Sequence, residues 1–422
     1  MQSQGGLRAF LWFWIPLSAN WFMMGLENPI VASFISEFPN QKNNLAAFGV
    51  AFSLGLFVEA PIIMMLSASN ALVQGRENYL RLRNFNTVLC VLLTIVMAIL
   101  PFPGVWNSLA SAIGLSGEQA EITRFAVMFL LPWPAAIGIR RFYHGLLIHA
   151  GKTAAVAWGT LVRLFAMLLV AFVLSKSEFV PPYCLGTAAV STGVVAELLY
   201  AWWLSRERVQ FLLRTPDPSK PLTNRQIFSY YFPLAMTPVI TFAVAPVITL
   251  FMGRFPLPLE SMAVYPLVTN FVFLVNCPGL SLQEVFITWF AKYPHEKKLL
   301  ARITAITGIA GALLILVVAS SSLKSFWFGG VAGLPPELLA LVGFPLAILS
   351  IQALSNAMQS WQRAHLISVG RTQRITHSAM AEVGVIVLTL TLLLSHSSVT
   401  GVTAAAMALV AGRIVSIAVA AV

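Results

Sequence analysis

Apolar stretches of helix length follow one another along almost the whole chain, separated only by short polar loops. Each can cross a hydrocarbon core of about 30 Å as an α-helix, which satisfies its own backbone hydrogen bonds where no water is available. A chain of 422 residues with 58% hydrophobic and 10% charged residues has too little polar surface to coat a water-soluble domain. The pattern predicts an all-α polytopic membrane protein. Its twelve transmembrane helices are expected near 9–35, 45–73, 84–102, 121–148, 154–175, 183–205, 226–252, 258–290, 300–321, 336–364, 374–395 and 399–422. The first stretch has no small-residue cleavage site, so it is expected to remain as the first helix rather than leave as a signal peptide.

Within these stretches the prolines recur in register. Pro16-Leu17 and Pro29 return as Pro233-Leu234 and Pro246, and Ala60-Pro61 returns as Cys277-Pro278, each 217 residues later. The run Leu147-Ile148-His149-Ala150-Gly151-Lys152-Thr153 returns as Leu366-Ile367-Ser368-Val369-Gly370-Arg371-Thr372, 219 residues later. Two six-helix bundles are predicted, at 1–205 and 226–422, joined by a charged, proline-rich cytoplasmic linker at 206–225. Because six is even, both halves enter the membrane in the same direction and the pseudo-repeats are parallel. A duplicated membrane bundle fits a transporter whose halves rock about a site held between them.

Loop charge sets the expected orientation. Nineteen Lys and Arg residues lie at the N-terminus and in the even-numbered loops, against five in the odd-numbered ones. This bias places both termini in the cytoplasm, and a bacterial chain of this kind in the plasma (inner) membrane. The net charge of +11 is then mainly a topology signal, with attraction to anionic membrane lipid as a by-product. Basic residues confined to short loops exclude nucleic acid as a partner. Cys90, Cys184 and Cys277 are scattered through apolar runs and read as small buried hydrophobes, not as a disulfide framework. The six histidines show no ligand spacing, so neither a metal site nor a cofactor is expected, apart from a coupling H⁺ or Na⁺.

Four mid-helix prolines, Pro29, Pro61, Pro246 and Pro278, form two symmetric pairs. Each removes an intrahelical bond and frees a carbonyl, which either serves a cavity-lining bend or merely improves packing. Ionisable residues inside the spans are Glu27, Glu59, Arg163, Glu197, Glu382 and Arg413. A charge deep in a bilayer costs about 2.5–3.5 kcal/mol or more, so each must face protein or water. Glu27, Asn28, Glu59, Asn270 and Asn276 are the candidate substrate- or ion-binding residues. A buried glutamate there either carries a proton or cation, or is a structural partner of an arginine or amide. Arg163 and Glu382 occupy equivalent positions at the 219 offset with opposite charge; they pair across the halves as a gate, or each within its own bundle. Arg140, Arg141 and Arg363 with His144, His149, Gln359 and His365 give either a basic inner vestibule or plain positive-inside anchoring. Trp12, Trp14, Trp202, Trp203 and Trp327 read as interfacial anchors.

The twelve-span, two-bundle layout resembles the multidrug/oligosaccharidyl-lipid/polysaccharide (MOP) exporter superfamily, with its multidrug and toxic compound extrusion (MATE) branch. The run Leu45-Ala46-Ala47-Phe48-Gly49-Val50-Ala51-Phe52-Ser53-Leu54, the following Ala60-Pro61, and Arg363-Ala364-His365-Leu366 before Gly370-Arg371 resemble the progressive ankylosis branch. The resemblance implies two six-helix lobes, a central cavity and alternating access. In that branch it also implies export of small organic anions or nucleotides. The expected function is therefore a monomeric secondary transporter of a small solute, possible coupling being to H⁺ or Na⁺. The alternatives are a lipid-linked oligosaccharide flippase or a multidrug/cation antiporter. A membrane-embedded enzyme is disfavoured, because no catalytic cluster stands out.

Overall fold

The computed structural model describes residues 6–113, 115, 117–177, 180–218, 220–332, 334–396 and 398–421. All regular structure among these residues is helical. The twelve long helices are α1 Leu7–Ile35, α2 Asn43–Leu72, α3 Arg76–Ile99, α4 Gly117–His149, α5 Thr153–Ser175, α6 Pro182–Arg214, α7 Asn224–Met252, α8 Pro258–Lys292, α9 Lys297–Ser320, α10 Gly343–Ser368, α11 Gln373–His396 and α12 Gly401–Ala421. A short helix, Pro103–Ala112, follows α3. Eleven of the twelve are long and apolar enough to cross a membrane. The exception, α10, falls short because its buried side carries Asn356, Gln359 and Gln362. The chain is a multi-pass integral membrane protein. Exposed apolar rows agree with this, as on α5, where Trp158, Phe165 and Phe172 recur every second turn and all stand open.

Several helices are broken where their residues demand it. Pro61 lies in a 3₁₀ turn, Ala60–Ile62, that interrupts α2. A turn at Ala243, just before Pro246, interrupts α7. The segment 129–132 breaks α4 ahead of Trp133-Pro134, a proline-flanked interruption absent from the expected set. By contrast α8 runs unbroken through Pro278, and α1 is helical through Pro29. The side chains of Asn28 and Pro29 lie outside the described residues.

Three expected boundaries are corrected. The third span begins at Arg76 rather than 84, because the linker caps it: the Asp217 carboxylate accepts the Glu77 amide at 2.7 Å, an anion placed at a helix N-terminus. The sixth span continues to Arg214, so the first part of the expected linker is helix. The rest of that linker is docked, since Leu222 donates to Asn78 Oδ1 at 2.9 Å and its carbonyl accepts from Arg81 at 2.7 Å. The tenth span opens with a 3₁₀ segment, Pro336–Leu341, before α10 proper.

The seven-residue run shared by the two halves has a backbone explanation. At the end of α4, Gly151 adopts φ 85° and the Lys152 amide donates back to the Leu147 carbonyl at 2.8 Å. At the end of α10, Gly370 adopts φ 75° and Arg371 donates to Leu366 at 2.9 Å. This is the Schellman stop, and its left-handed residue favours glycine. The motif therefore encodes a helix end and the start of the next helix.

By contact the chain divides into two compact units, Leu26–Ala235 and Met1–Gly25 with Met236–Val422. This division is offset from the sequence halves at 1–205 and 226–422. It cuts α1 after Gly25 and α7 after Ala235, so the leading part of each repeat's first helix belongs with the other repeat. In the first unit α5 lies along α6, and the second half of α2 packs on α4. In the second, α9 lies along α10, α11 along α12, and α8 against α10, around a core that includes Val268, Phe271, Phe328 and Leu346.

The α2–α4 contact is close enough to exclude a methyl group. A Cβ on Gly145 would lie 1.8 Å from Ser69 Oγ and 2.5 Å from the Leu66 carbonyl. We expect Gly145→Ala to destabilise the protein by about 1–3 kcal/mol through overpacking. Gly384→Ala, where nothing lies within 4 Å, should be neutral. Melting temperatures in detergent check the pair.

Candidate functional site

In the unit Leu26–Ala235 five membrane helices bring six charged side chains and a histidine together. Glu27 comes from α1, Glu59 from α2, Arg140, Arg141 and His144 from α4, Arg163 from α5 and Glu197 from α6. Glu27, Glu59, Arg140, His144, Arg163 and Glu197 are all at least 96% buried. Glu197 is the hub. Its carboxylate accepts from Arg140 Nη1 at 2.6 Å and from Thr160 Oγ1 at 3.2 Å, and lies 3.7 Å from both Arg163 Nη1 and His144 Nε2. Arg163 in turn donates to Glu27, and its guanidinium lies over the Trp133 ring. Trp133 Nε1 donates to Glu59. Three carboxylates face three guanidinium groups, which is how a chain can hold charge in a medium that punishes an isolated ion. One acceptor is left over: Glu27 Oε1 is buried and has no hydrogen-bond partner.

In the other unit a smaller node occupies the corresponding positions. Gln359, Glu382 and Arg413 correspond to Arg140, Arg163 and Glu197 at offsets of 219, 219 and 216. Arg413 Nε lies 3.0 Å from Glu382, while Nη1 donates to Asn356 Oδ1 at 2.7 Å and to Gln359. Gln359 also donates to Ser416 at 3.1 Å. The same three-helix node is built twice with its charges exchanged. An acid on the sixth helix sits among bases in one unit; a base on the twelfth sits among an acid and two amides in the other.

Against the sequence expectations, Glu27 and Glu59 join one network. Asn276 is buried on α8, and Asn270 is exposed on the same helix. Arg163 and Glu382 each pair within their own unit, with Glu27 and Arg413 respectively. Arg140 is buried against Glu197, so it does not line a basic mouth. Arg363 is half-buried on α10, near the second node. Trp133 and Thr160 were missed; the signal for Trp133 was its place between Pro132 and Pro134. The three cysteines are free and buried. Among the described residues no group of His, Cys, Asp and Glu could hold a metal.

A second symmetric pair of contacts involves the exchanged helix ends. Trp14 Nε1 donates to the Pro278 carbonyl at 3.1 Å, and Tyr231 Oη donates to the Pro61 carbonyl at 2.8 Å. Trp14 and Tyr231 are related by the 217 offset, as are Pro61 and Pro278. Trp14 is thus a polar clasp as well as an aromatic body, and the expectation of a simple interfacial anchor is corrected.

The buried node invites a double-mutant cycle. Arg140→Gln removes the short partner of the buried Glu197 and leaves it only the longer Arg163 contact, which should cost about 3 kcal/mol, whereas Arg140→Gln with Glu197→Gln should recover a large share of that loss. Thermal unfolding in detergent reads the cycle, and additive losses would argue against direct coupling.

No sequence-family model matches the chain, and no curated protein does. Solved structures match it along nearly its whole length. An outward-facing multidrug resistance MATE family transporter of the MOP superfamily superposes with TM-score 0.76 at 15% identity, covering 98% of this chain and 93% of that one. A eukaryotic MATE transporter, AtDTX14, gives 0.76 at 13% identity, covering 98% and 94%. A MOP superfamily transporter from Pyrococcus furiosus, described as having a binding pocket of reverse polarity, gives 0.74 at 14% identity, with the same coverage. The chain has the twelve-helix fold of the MATE transporters of the MOP superfamily.

Proposed function

We propose that this protein is a secondary transporter that exports a small solute by alternating access, driven by H⁺. The observation that carries the reading is Glu27. It is a membrane-buried carboxylate with one oxygen held by Arg163 and the other without a partner, two residues beyond the point where α1 passes from one contact unit to the other. As a carboxylate Glu27 attracts Arg163. As a carboxylic acid it loses most of that attraction, and Arg163 has a second acceptor, Glu197, already 3.7 Å away. Protonation would therefore release the second part of α1 from α5 while the guanidinium stays paired. H⁺ is preferred to Na⁺ because a metal cation near Glu27 would share the site with Arg140, Arg141 and Arg163 at low dielectric.

Transport rather than catalysis is the reading the fold supports, since the structural neighbours are transporters. A small organic anion or nucleotide is the substrate class supported by the short runs that resemble the ankylosis branch. The multidrug description of one neighbour favours a cation antiporter as the second reading. We take the protein to act as a monomer with both termini in the cytoplasm. Under that orientation the Trp14 and Tyr231 clasps lie in the leading, cytoplasmic parts of α1 and α7. Each clasp lies within one contact unit, where it would hold the leading part of α1 or α7 in place.

In proteoliposomes with an imposed pH gradient, Glu27→Gln should reduce gradient-driven transport at least tenfold, and Glu59→Gln likewise, with melting temperature preserved. Unchanged transport in both variants from mildly acidic to mildly basic pH would reduce these glutamates to structural partners. A Na⁺ gradient imposed separately distinguishes the ion, and a panel of organic anions and cations distinguishes the substrate class.

The clasps are tested by Trp14→Phe and Tyr231→Phe, which keep an aromatic ring and remove the donor. Each neutral bond contributes about 1 kcal/mol, so each change should lower stability by about that much. Melting temperatures in detergent read the loss, and an unchanged value in the double variant would sink the clasp.

A further inference from the structure

The ends of α10 and α12 and the start of α11 enclose a cavity of about 600 Å³ in the unit that holds the second node. Trp361, Gln362, His365, Arg371 and Arg374 line it, and Leu366 contributes apolar wall. Among the described lining residues none carries a carboxylate side chain. Among the described residues neither Arg371 nor Arg374 forms an ion pair. The repeat makes this informative. Lys152 is the counterpart of Arg371 at the 219 offset, and the first half neutralises it with Glu207 at 3.0 Å. The second half instead sets two guanidinium groups and an imidazole around one hollow.

A second observation concerns Gln362, which is 8% exposed. Its Nε2 donates to the Ile417 carbonyl at 3.0 Å, and because a carbonyl only accepts, this fixes which end of the amide is which. The other end, Oε1, is buried without a hydrogen-bond partner on a residue that lines the cavity. The hollow thus offers donors suited to a phosphate, and behind its wall the Gln362 amide keeps an acceptor that no hydrogen bond satisfies. We infer that it binds a phosphate ester. The source is either the head group of a phosphoglycerol lipid, whose chains would lie along the apolar wall, or a soluble polyol phosphate. By loop charge this is the cytoplasmic end of the helices, where basic pockets between membrane helices meet anionic head groups.

The test reads binding rather than transport, so it stands or falls separately from the export reading. The full chain is placed in nanodiscs of phosphatidylcholine with or without phosphatidylglycerol, and retained lipid is counted by native mass spectrometry. Glycerol 3-phosphate is titrated calorimetrically into the phosphatidylcholine discs. Arg371→Gln with Arg374→Gln should lower binding at least tenfold, Gln362→Glu should lower it by charge repulsion, and Arg371→Lys with Arg374→Lys should retain part of it. Preferential phosphatidylglycerol retention lost in the Gln pair assigns the lipid source; saturable glycerol 3-phosphate binding lost in the same pair assigns the soluble one. Melting temperatures exclude unfolding as the cause. Binding of neither probe, or binding unchanged in the Gln pair, overturns the site.

Discussion

A charge inside a membrane helix needs a partner within the protein or access to water, and much of this structure follows from that requirement. Glu197 cannot stay ionised on α6 without Arg140 from α4, and Arg163 on α5 needs both Glu197 and Glu27. Four helices are thereby fixed in register at one depth. The second node obeys the same rule with fewer charges, joining α10, α11 and α12 through Arg413. It also accounts for α10, the least apolar of the twelve helices, whose polar side supplies the amides that complete the node. The two nodes carry opposite signs at equivalent positions, and that is physically natural. Pairing constrains the product of the charges and leaves free which helix carries which.

The repeat is conserved at the level of backbone chemistry more than of side-chain identity. Both halves end their fourth helix with the same Schellman stop, at Gly151 and Gly370. Both use an aromatic donor from the leading part of a first helix to satisfy a proline carbonyl in a second helix. One half uses an indole and the other a phenol, and both present a polar edge on a ring that tolerates apolar surroundings. The donors arrive from chain segments that belong, by contact, with the opposite repeat.

The fold was largely legible. Apolar runs of helix length, prolines repeating at 217 and loop charge are signals carried by many residues at once. The membership of the site was partly legible too, because Glu27, Glu59, Arg163 and Glu197 are conspicuous in apolar runs. Their pairing was not. Whether Arg163 meets Glu27 or Glu382 depends on which helices are neighbours, and no local pattern states that. The vestibule reading of Arg140 failed for a related reason: its place near a helix end resembled an interfacial anchor, while its partner lay far away in sequence on α6. Trp14 was misread likewise, since a tryptophan near a span end is ordinary and its acceptor, Pro278, is distant in the chain. The helical first part of the linker was hidden by a charge density that composition reads as loop.

The two nodes differ in what a proton could change. In the second, Arg413 is held by Glu382 and by two amide oxygens, so neutralising the one carboxylate would leave the guanidinium with neutral acceptors on α10 and the helices still joined. In the first, Glu27 is the carboxylate that α1 brings to the network, and among the described residues its bond to Arg163 ties α1 to α5. Neutralising it weakens a helix-to-helix tie that no amide duplicates, and it does so just past the point where α1 changes its packing partners. A charge-inverted repeat thus yields one node whose connection is sensitive to a proton and one whose connection is not. Under the proposed function, that asymmetry is what would let a single ion bias the motion.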